Sequence, residues 1–177
     1  MASFTQRMIG AAKFNVSTYE EVEADTTATG QALGVVILSS IAAGIGWAGQ
    51  GAQGIVVAVL GALIAWFLWA AVIYVVGTKF LPEPQTRSDI GELLRTTGFA
   101  AAPGMLRILG LVPMLTFLIN FVVGIWMFGT FVVAVRQALD YRSTGRAVLV
   151  CFIGWLFFVV LQALLFLVFL RSTPAGP

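Results

Sequence analysis

From Ile55 to Val76 the chain runs through valine, leucine, isoleucine, alanine and aromatic residues without a single charge, and Met114 to Val135 and Ala147 to Leu170 are built the same way. About 20 such residues let an α-helix cross a hydrocarbon layer about 30 Å thick, where every backbone N–H and C=O must be satisfied within the segment. Repeated runs of this kind specify a bundle of membrane-spanning helices. Composition agrees: 59% of residues are hydrophobic and 10% charged, where soluble domains carry about 25% charged residues. Spans of this length use up nearly all of a 177-residue chain, so no sizeable soluble catalytic domain fits.

The residue inventory narrows the chemistry further. Histidine is absent and the one cysteine, Cys151, sits inside an apolar run. Imidazole-ligated haem, zinc centres, histidine-based triads and a disulfide within the chain are therefore excluded. No catalytic residue, metal or cofactor is expected. The net charge of +2 comes from ten basic residues spread along the chain, without the dense cluster that grips nucleic acid.

The organisation reads as residues 1–29, a water-side or interfacial amino-terminal region; 30–171, a five-span membrane domain; and 172–177, a short outer tail. Phe4, Met8, Ile9 and Ala12 recur at helical spacing beside Thr5, Gln6, Arg7 and Lys13, as in an amphipathic helix lying in the membrane interface. Ser17 and Glu20 have capping-box spacing, which predicts a second short helix over Thr18 to Ala24. No apolar run of signal-peptide type precedes residue 30, so the first apolar stretch is expected to be retained.

The first span is read from Ala28 to Trp47, ending in the uncharged GIGWAGQGAQG turn, and the second from Ile55 to Val76. Pro82 and Pro84 then break the helix, Lys79, Glu83, Arg87, Asp89 and Glu92 mark water, and Ser88 is the expected cap of the next helix. The third segment, Leu94 to Leu111, holds Pro103 and Arg107 and is short, which leaves a kinked span or a re-entrant hairpin open. Pro113 makes a tight turn into the fourth span. With five spans, Arg7, Lys13, Lys79, Arg87, Arg95, Arg136, Arg142 and Arg146 share one side, with Arg107 and Arg171 toward the other. The positive-inside rule then gives a cytoplasmic amino terminus and an outer carboxyl terminus.

Several residues stand out as candidates. Glu20, Glu21, Glu23 and Asp25 form an acidic patch that Arg87, Arg95, Arg136, Arg142 and Arg146 can approach beneath the bundle. The two sets pair with one another or dock a partner or lipid. Arg107, a guanidinium within a span with no acid in the spans to neutralise it, either snorkels into the headgroups or forms an anion or subunit contact. Gly30 and Gly34 (a GxxxG pair), Gly98, Pro103, Gly104, Asn120 and Gly124 are candidates for helix packing. The five tryptophans, Trp47, Trp66, Trp69, Trp126 and Trp155, are read as an aromatic belt.

The order of features is itself informative: TYEEVEADTTATGQAL leads into the first span, RTTGFAAAPGML opens the third and AVRQALDYRSTGRAV joins the last two. In this order, over roughly Phe4 to Leu170, the chain resembles a bacterial member of the Yip (Ypt-interacting protein) domain family. The resemblance implies a five-helix membrane domain in the bacterial cytoplasmic membrane with a cytoplasmic amino terminus. Eukaryotic members act in vesicle trafficking through Rab-type GTPases. Here Gly98-Phe99 replaces the family's frequent Gly-Tyr, and the Asp-Leu-Tyr-Gly-Pro signature is absent. The expected function is thus non-enzymatic: contacts with other membrane proteins, with lipid or with further copies of the chain. The rival readings are an accessory subunit of a larger respiratory, photosynthetic or transport complex, and a small channel or exporter using Arg107.

Overall fold

The computed structural model describes residues 2–46, 51–112 and 114–172; Trp47, the centre of the glycine run, Pro113 and the tail from residue 173 lie outside it. Among the described residues are seven α-helices: α1 Phe4–Ala12, α2 Val16–Ala24, α3 Thr29–Gly46, α4 Gly51–Val75, α5 Ile90–Ala100, α6 Thr116–Ala138 and α7 Thr144–Ser172. No strand occurs among the described residues. Among the described residues, four helical stretches are long and apolar enough to cross a membrane, namely Thr26–Gly46, Gln53–Phe80, Thr116–Ala138 and Thr144–Leu164.

The remaining apolar segment has a different form. α5 is followed by a 3-10 helix over Ala102–Leu111, with the ringed nitrogen of Pro103 in its first turn, where no intrahelical donor is needed. At 1.5 Å per α-residue and 2.0 Å per 3-10 residue the two pieces reach about 16 and about 20 Å. Neither is a span alone, yet together they match the thickness of the hydrocarbon layer.

Local chemistry sets the helix starts, and two of them differ from the sequence expectation. α2 is capped by Asn15, whose side chain accepts from Ser17 N at 3.0 Å. The left-handed turn at Phe14 (φ 60°) ends α1 early enough for Asn15 to cap, so Ser17 falls inside α2 instead of capping it. α5 is capped by Asp89 and not by Ser88: Asp89 Oδ1 accepts from Glu92 N at 2.8 Å and Glu92 Oε2 from Asp89 N at 3.0 Å, a reciprocal capping box. α4 ends in one wide turn over Val76–Phe80, with Leu81 N donating to Val76 O at 2.9 Å before Pro82 stops it.

Helix positions follow from three close approaches between α3 and the 90–111 segment. A Cβ on Gly98 would stand 2.7 Å from that of Ala32, one on Gly104 would strike Ser39 Oγ, and one on Gly46 would strike the Arg107 carbonyl. Ala32, Ser39 and Gly46 succeed one another every two turns of α3, in the same order as their partners, so the two elements run parallel. α4 returns antiparallel, placing Ile55 beside Gly44 and Trp66 beside Gly98, where Trp66 Nε1 donates to Thr97 Oγ1 at 3.2 Å. α6 also descends: Met127 faces Gly104 and Thr130 Oγ1 donates to Ala100 O at 2.7 Å. α7 packs Gly154 against Ile73 and Trp69.

The small residues therefore divide. Gly98, Gly104 and Gly46 form the seam, whereas Gly30 and Gly124 have nothing within 4 Å of a added Cβ and Gly34 has only the Phe4 ring at 3.9 Å. The Gly30–Gly34 pair and Gly124 are thus not points of helix approach. Spacing alone could not separate the two sets. Asn120 is half-buried and donates back to Thr116 O at 2.9 Å, and Pro103 is buried.

Filling the seam should cost stability and filling the open position should not. Gly98→Ala is expected to lower the thermal midpoint of the detergent-solubilised protein, by about 1–3 kcal/mol of overpacking, whereas Gly30→Ala, on the exposed first turn of α3, should raise it through up to ~1 kcal/mol of helix propensity. Circular dichroism melts of the two variants decide the matter.

Candidate functional site

The end of the bundle holding the 81–89 and 139–146 turns is held together by charge. Arg7, read from the sequence as a polar-face residue, is 2% exposed. Its Nη2 lies 2.9 Å from Glu21 Oε1 and 2.7 Å from Asp25 Oδ2, and its Nη1 donates to Gln31 Oε1 at 3.1 Å. One guanidinium thereby joins α1, both ends of the acidic segment and the start of α3. Phe4 and Met8 of α1 pack on the core below, and the Tyr19 hydroxyl donates to Ala11 O at 3.0 Å.

Arg95 is 6% exposed and meets the acidic segment through its backbone. Nε donates to Val22 O at 3.0 Å and to Glu23 O at 3.1 Å, and Nη2 also reaches Glu23 O. A cation on the last carbonyls of α2 satisfies groups that a helix C-terminus leaves unpaired. Arg136 serves the α6–α7 turn likewise, donating to Tyr141 O at 3.2 Å and Arg142 O at 3.5 Å. Tyr141 in turn donates its hydroxyl to Leu81 O at 2.7 Å and Gly77 O at 2.9 Å, and burial pushes that phenol up to about 12. Glu83 clamps the two turns, accepting from Arg142 N at 2.9 Å, with Arg146 Nε 3.6 Å away.

The two sets of candidates are therefore joined differently from the sequence expectation. The carboxylates of Glu21 and Asp25 pair with Arg7, not with the arginines of the later loops. Glu20 is exposed and accepts from Gln137 at 3.3 Å, and Arg142 and Arg146 are exposed. Glu23 is half-buried, and its carboxyl is pushed up to about 7 by burial and by the like charges of Glu92 and Asp140, with Arg95 opposing. Glu21 is held below its usual range by the Ala2 amide and Arg7, and Asp25 by Thr27 and Arg7.

Arg107 lies at the opposite end, half-buried, and turns into the bundle. It lines a cavity of about 490 Å³ walled by Ser39, Ser40, Trp66, Trp69, Gly124 and Trp155 among other, mostly apolar, side chains. Trp66 and Trp69 thus face the interior, and Trp126 donates to Ala12 O at 2.7 Å, so these rings do not form a lipid-facing belt. Spacing gives no sign of the cavity, because five separate elements contribute its walls. No cluster of His, Cys, Asp or Glu suited to a metal occurs among the described residues.

The fold is that of a polytopic helical membrane protein with a compact charged end. The Yip1 domain family model matches residues 16–165, from the first residue of α2 to well into α7, and the chain belongs to that family. No curated protein and no solved structure matches it.

Two outcomes follow from the charged end. Arg7→Met leaves Glu21 and Asp25 without their partner and removes the tie from α1 to Gln31 at the start of α3. It should lower the melting midpoint and open the Ala12–Asn15 turn to protease. For Glu23, the folded carboxyl binds its proton up to about 7, while the unfolded one releases it near 4.3. Stability therefore falls as pH rises through that window. Melting midpoints between pH 5 and 8 should show the fall, and Glu23→Gln should remove it.

Proposed function

We propose that the chain is a non-enzymatic integral membrane protein of five crossings, with the charged end in the cytoplasm, that works through contacts with anionic lipid and other membrane proteins. The parallel course of α3 and the 90–111 segment supports the fifth crossing. The charge asymmetry supports the orientation: eight of the ten basic residues precede or follow spans at one end, as positive-inside sorting requires. In this reading α1 and α2 sit at the cytoplasmic interface, with Ile9 and Phe14 exposed toward lipid.

The observation that carries the functional reading is which charges remain free once the internal ties are made. Lys79, Arg87 and Arg142 are exposed, and their side chains make no hydrogen bond or ion pair among the described residues. Glu20, Asp89 and Asp140 are exposed as well. Such loop cations favour an anionic leaflet by about 1 kcal/mol each, and they offer a partner a docking face without disturbing the bundle. A membrane-organising role of this kind fits the family.

Two measurements test the reading. In a Cys151→Ser background, Leu111→Cys should react with an impermeant maleimide only from outside, and Ser88→Cys and Ser143→Cys only from inside; labelling of Ser88→Cys and Leu111→Cys from the same side would refute the fifth crossing. Mild-detergent purification with mass spectrometry should then find co-purifying anionic lipid or protein that diminishes when Lys79, Arg87 and Arg142 are all changed to Gln. An unchanged set of bound species would refute the loop cations as the contact.

A further inference from the structure

We propose that the cavity at Arg107 is a binding site for an anionic amphiphile, with the acidic head on the Arg107 guanidinium and the hydrocarbon chain along the aromatic interior. It is separate from the loop cations at the other end and does not depend on them.

Three observations converge. The first is size and shape. A cavity of about 490 Å³ falls within the roughly 300–1,000 Å³ of ligand sites. Its α4 wall runs from Ala58 to Trp69, which at 1.5 Å per residue is about 16 Å of depth, suited to an extended chain. Phe128 and Trp155 line it while also being about half exposed on the membrane-facing flank, so it reaches the lipid through the side of the bundle.

The second is the polar complement. The wall is overwhelmingly apolar, and its polar groups are the Arg107 guanidinium, the indole N–H groups of Trp66, Trp69 and Trp155 and the hydroxyls of Ser39 and Ser40, of which Trp66 and Ser40 already donate to Thr97 and to Ile37 O. No carboxylate lines it. Arg107 Nε and Trp69 Nε1 are buried without a hydrogen-bond partner among the described residues. A guanidinium in apolar surroundings is costly unless an anion meets it, and the planar donor fork fits a carboxylate or phosphate. A cation at one end of a hydrocarbon-lined space is complementary to an amphiphile whose head is acidic.

The third is that the fold holds Arg107 there. The Arg107 carbonyl occupies the space where a side chain on Gly46 would lie, so the backbone is pinned against α3 while the side chain enters the interior. Gly124, open on its Cβ side, contributes free volume to the site.

The test uses the full chain in nanodiscs of phosphatidylcholine, doped with phosphatidylglycerol or with phosphatidylcholine carrying brominated acyl chains. Trp66, Trp69 and Trp155 in the wall report chain entry by fluorescence quenching. The wild type should be half-quenched at a mole fraction of the anionic probe roughly tenfold lower than of the neutral one. Arg107→Gln should bring the two curves together, Arg107→Lys should keep most of the preference, and Gly124→Phe, which fills the cavity and leaves the charge, should abolish it. Replacing Lys79, Arg87 and Arg142 with Gln should leave it unchanged. Equal quenching by the two probes in the wild type, or a preference that survives both Arg107→Gln and Gly124→Phe, would overturn the proposal. Release of quenching by inorganic phosphate, beyond that by potassium chloride of equal ionic strength, would overturn the lipid source and assign the site to a free anion.

Discussion

The bundle depends on the approach of α3 to the 90–111 segment at a distance that leaves no room for side chains. In a bilayer, helix association draws little from the hydrophobic effect, because lipid is as apolar as leucine, so close backbone packing carries much of it. Gly98, Gly104 and Gly46 supply that packing at successive levels. With these two elements parallel, α4 and α6 have to return on either flank, and α7 closes against α4 at Gly154. The 3-10 form of Ala102–Leu111 belongs to the same constraint. A 3-10 helix is narrower than an α-helix and rises further per residue, so ten residues carry the chain along α3 to Gly46.

At the charged end a different force takes over. The amino-terminal helices are too short to be stable alone, and three tertiary devices secure them: the Arg7 ion cluster, the Arg95 cap on α2 and the packing of Phe4 and Tyr19 into the core. Glu21, Asp25 and Arg95, three of the nine residues that look like a docking patch in the sequence, are thereby committed to the fold. Lys79, Arg87 and Arg142 remain exposed, with the acids Glu20, Asp89 and Asp140, on an end whose shape Glu83 and Tyr141 fix. Glu23 is the exception among the acids, half-buried beside like charges and therefore sensitive to pH near neutrality.

The two ends treat a guanidinium in opposite ways. Arg7 is buried and meets two carboxylates, while Arg107 is half-buried on the wall of a mostly apolar cavity with no hydrogen-bond partner for its Nε among the described residues. The first is tolerated because the charge is neutralised in place. The second is tolerable when the counter-charge comes from outside the chain, and a cavity open to the membrane-facing flank gives such a group its path.

The sequence by itself determined that the chain is helical and membrane-embedded, because uninterrupted apolar runs have no other stable form in lipid. It also determined the breaks at Pro82 and near Asp89, because proline and capping residues act over a few neighbouring positions. It carried the family likeness through the order of its segments. Only the tertiary structure decided which glycines pack and which stand open, since Gly30 and Gly98 differ in what lies opposite and not in their own chemistry. It alone placed Arg7 with Glu21 and Asp25, and brought Arg107 to the wall of the same cavity as Trp69 and Ser39. Those contacts join elements distant in the chain, and periodicity within one helix holds no record of what another brings beside it.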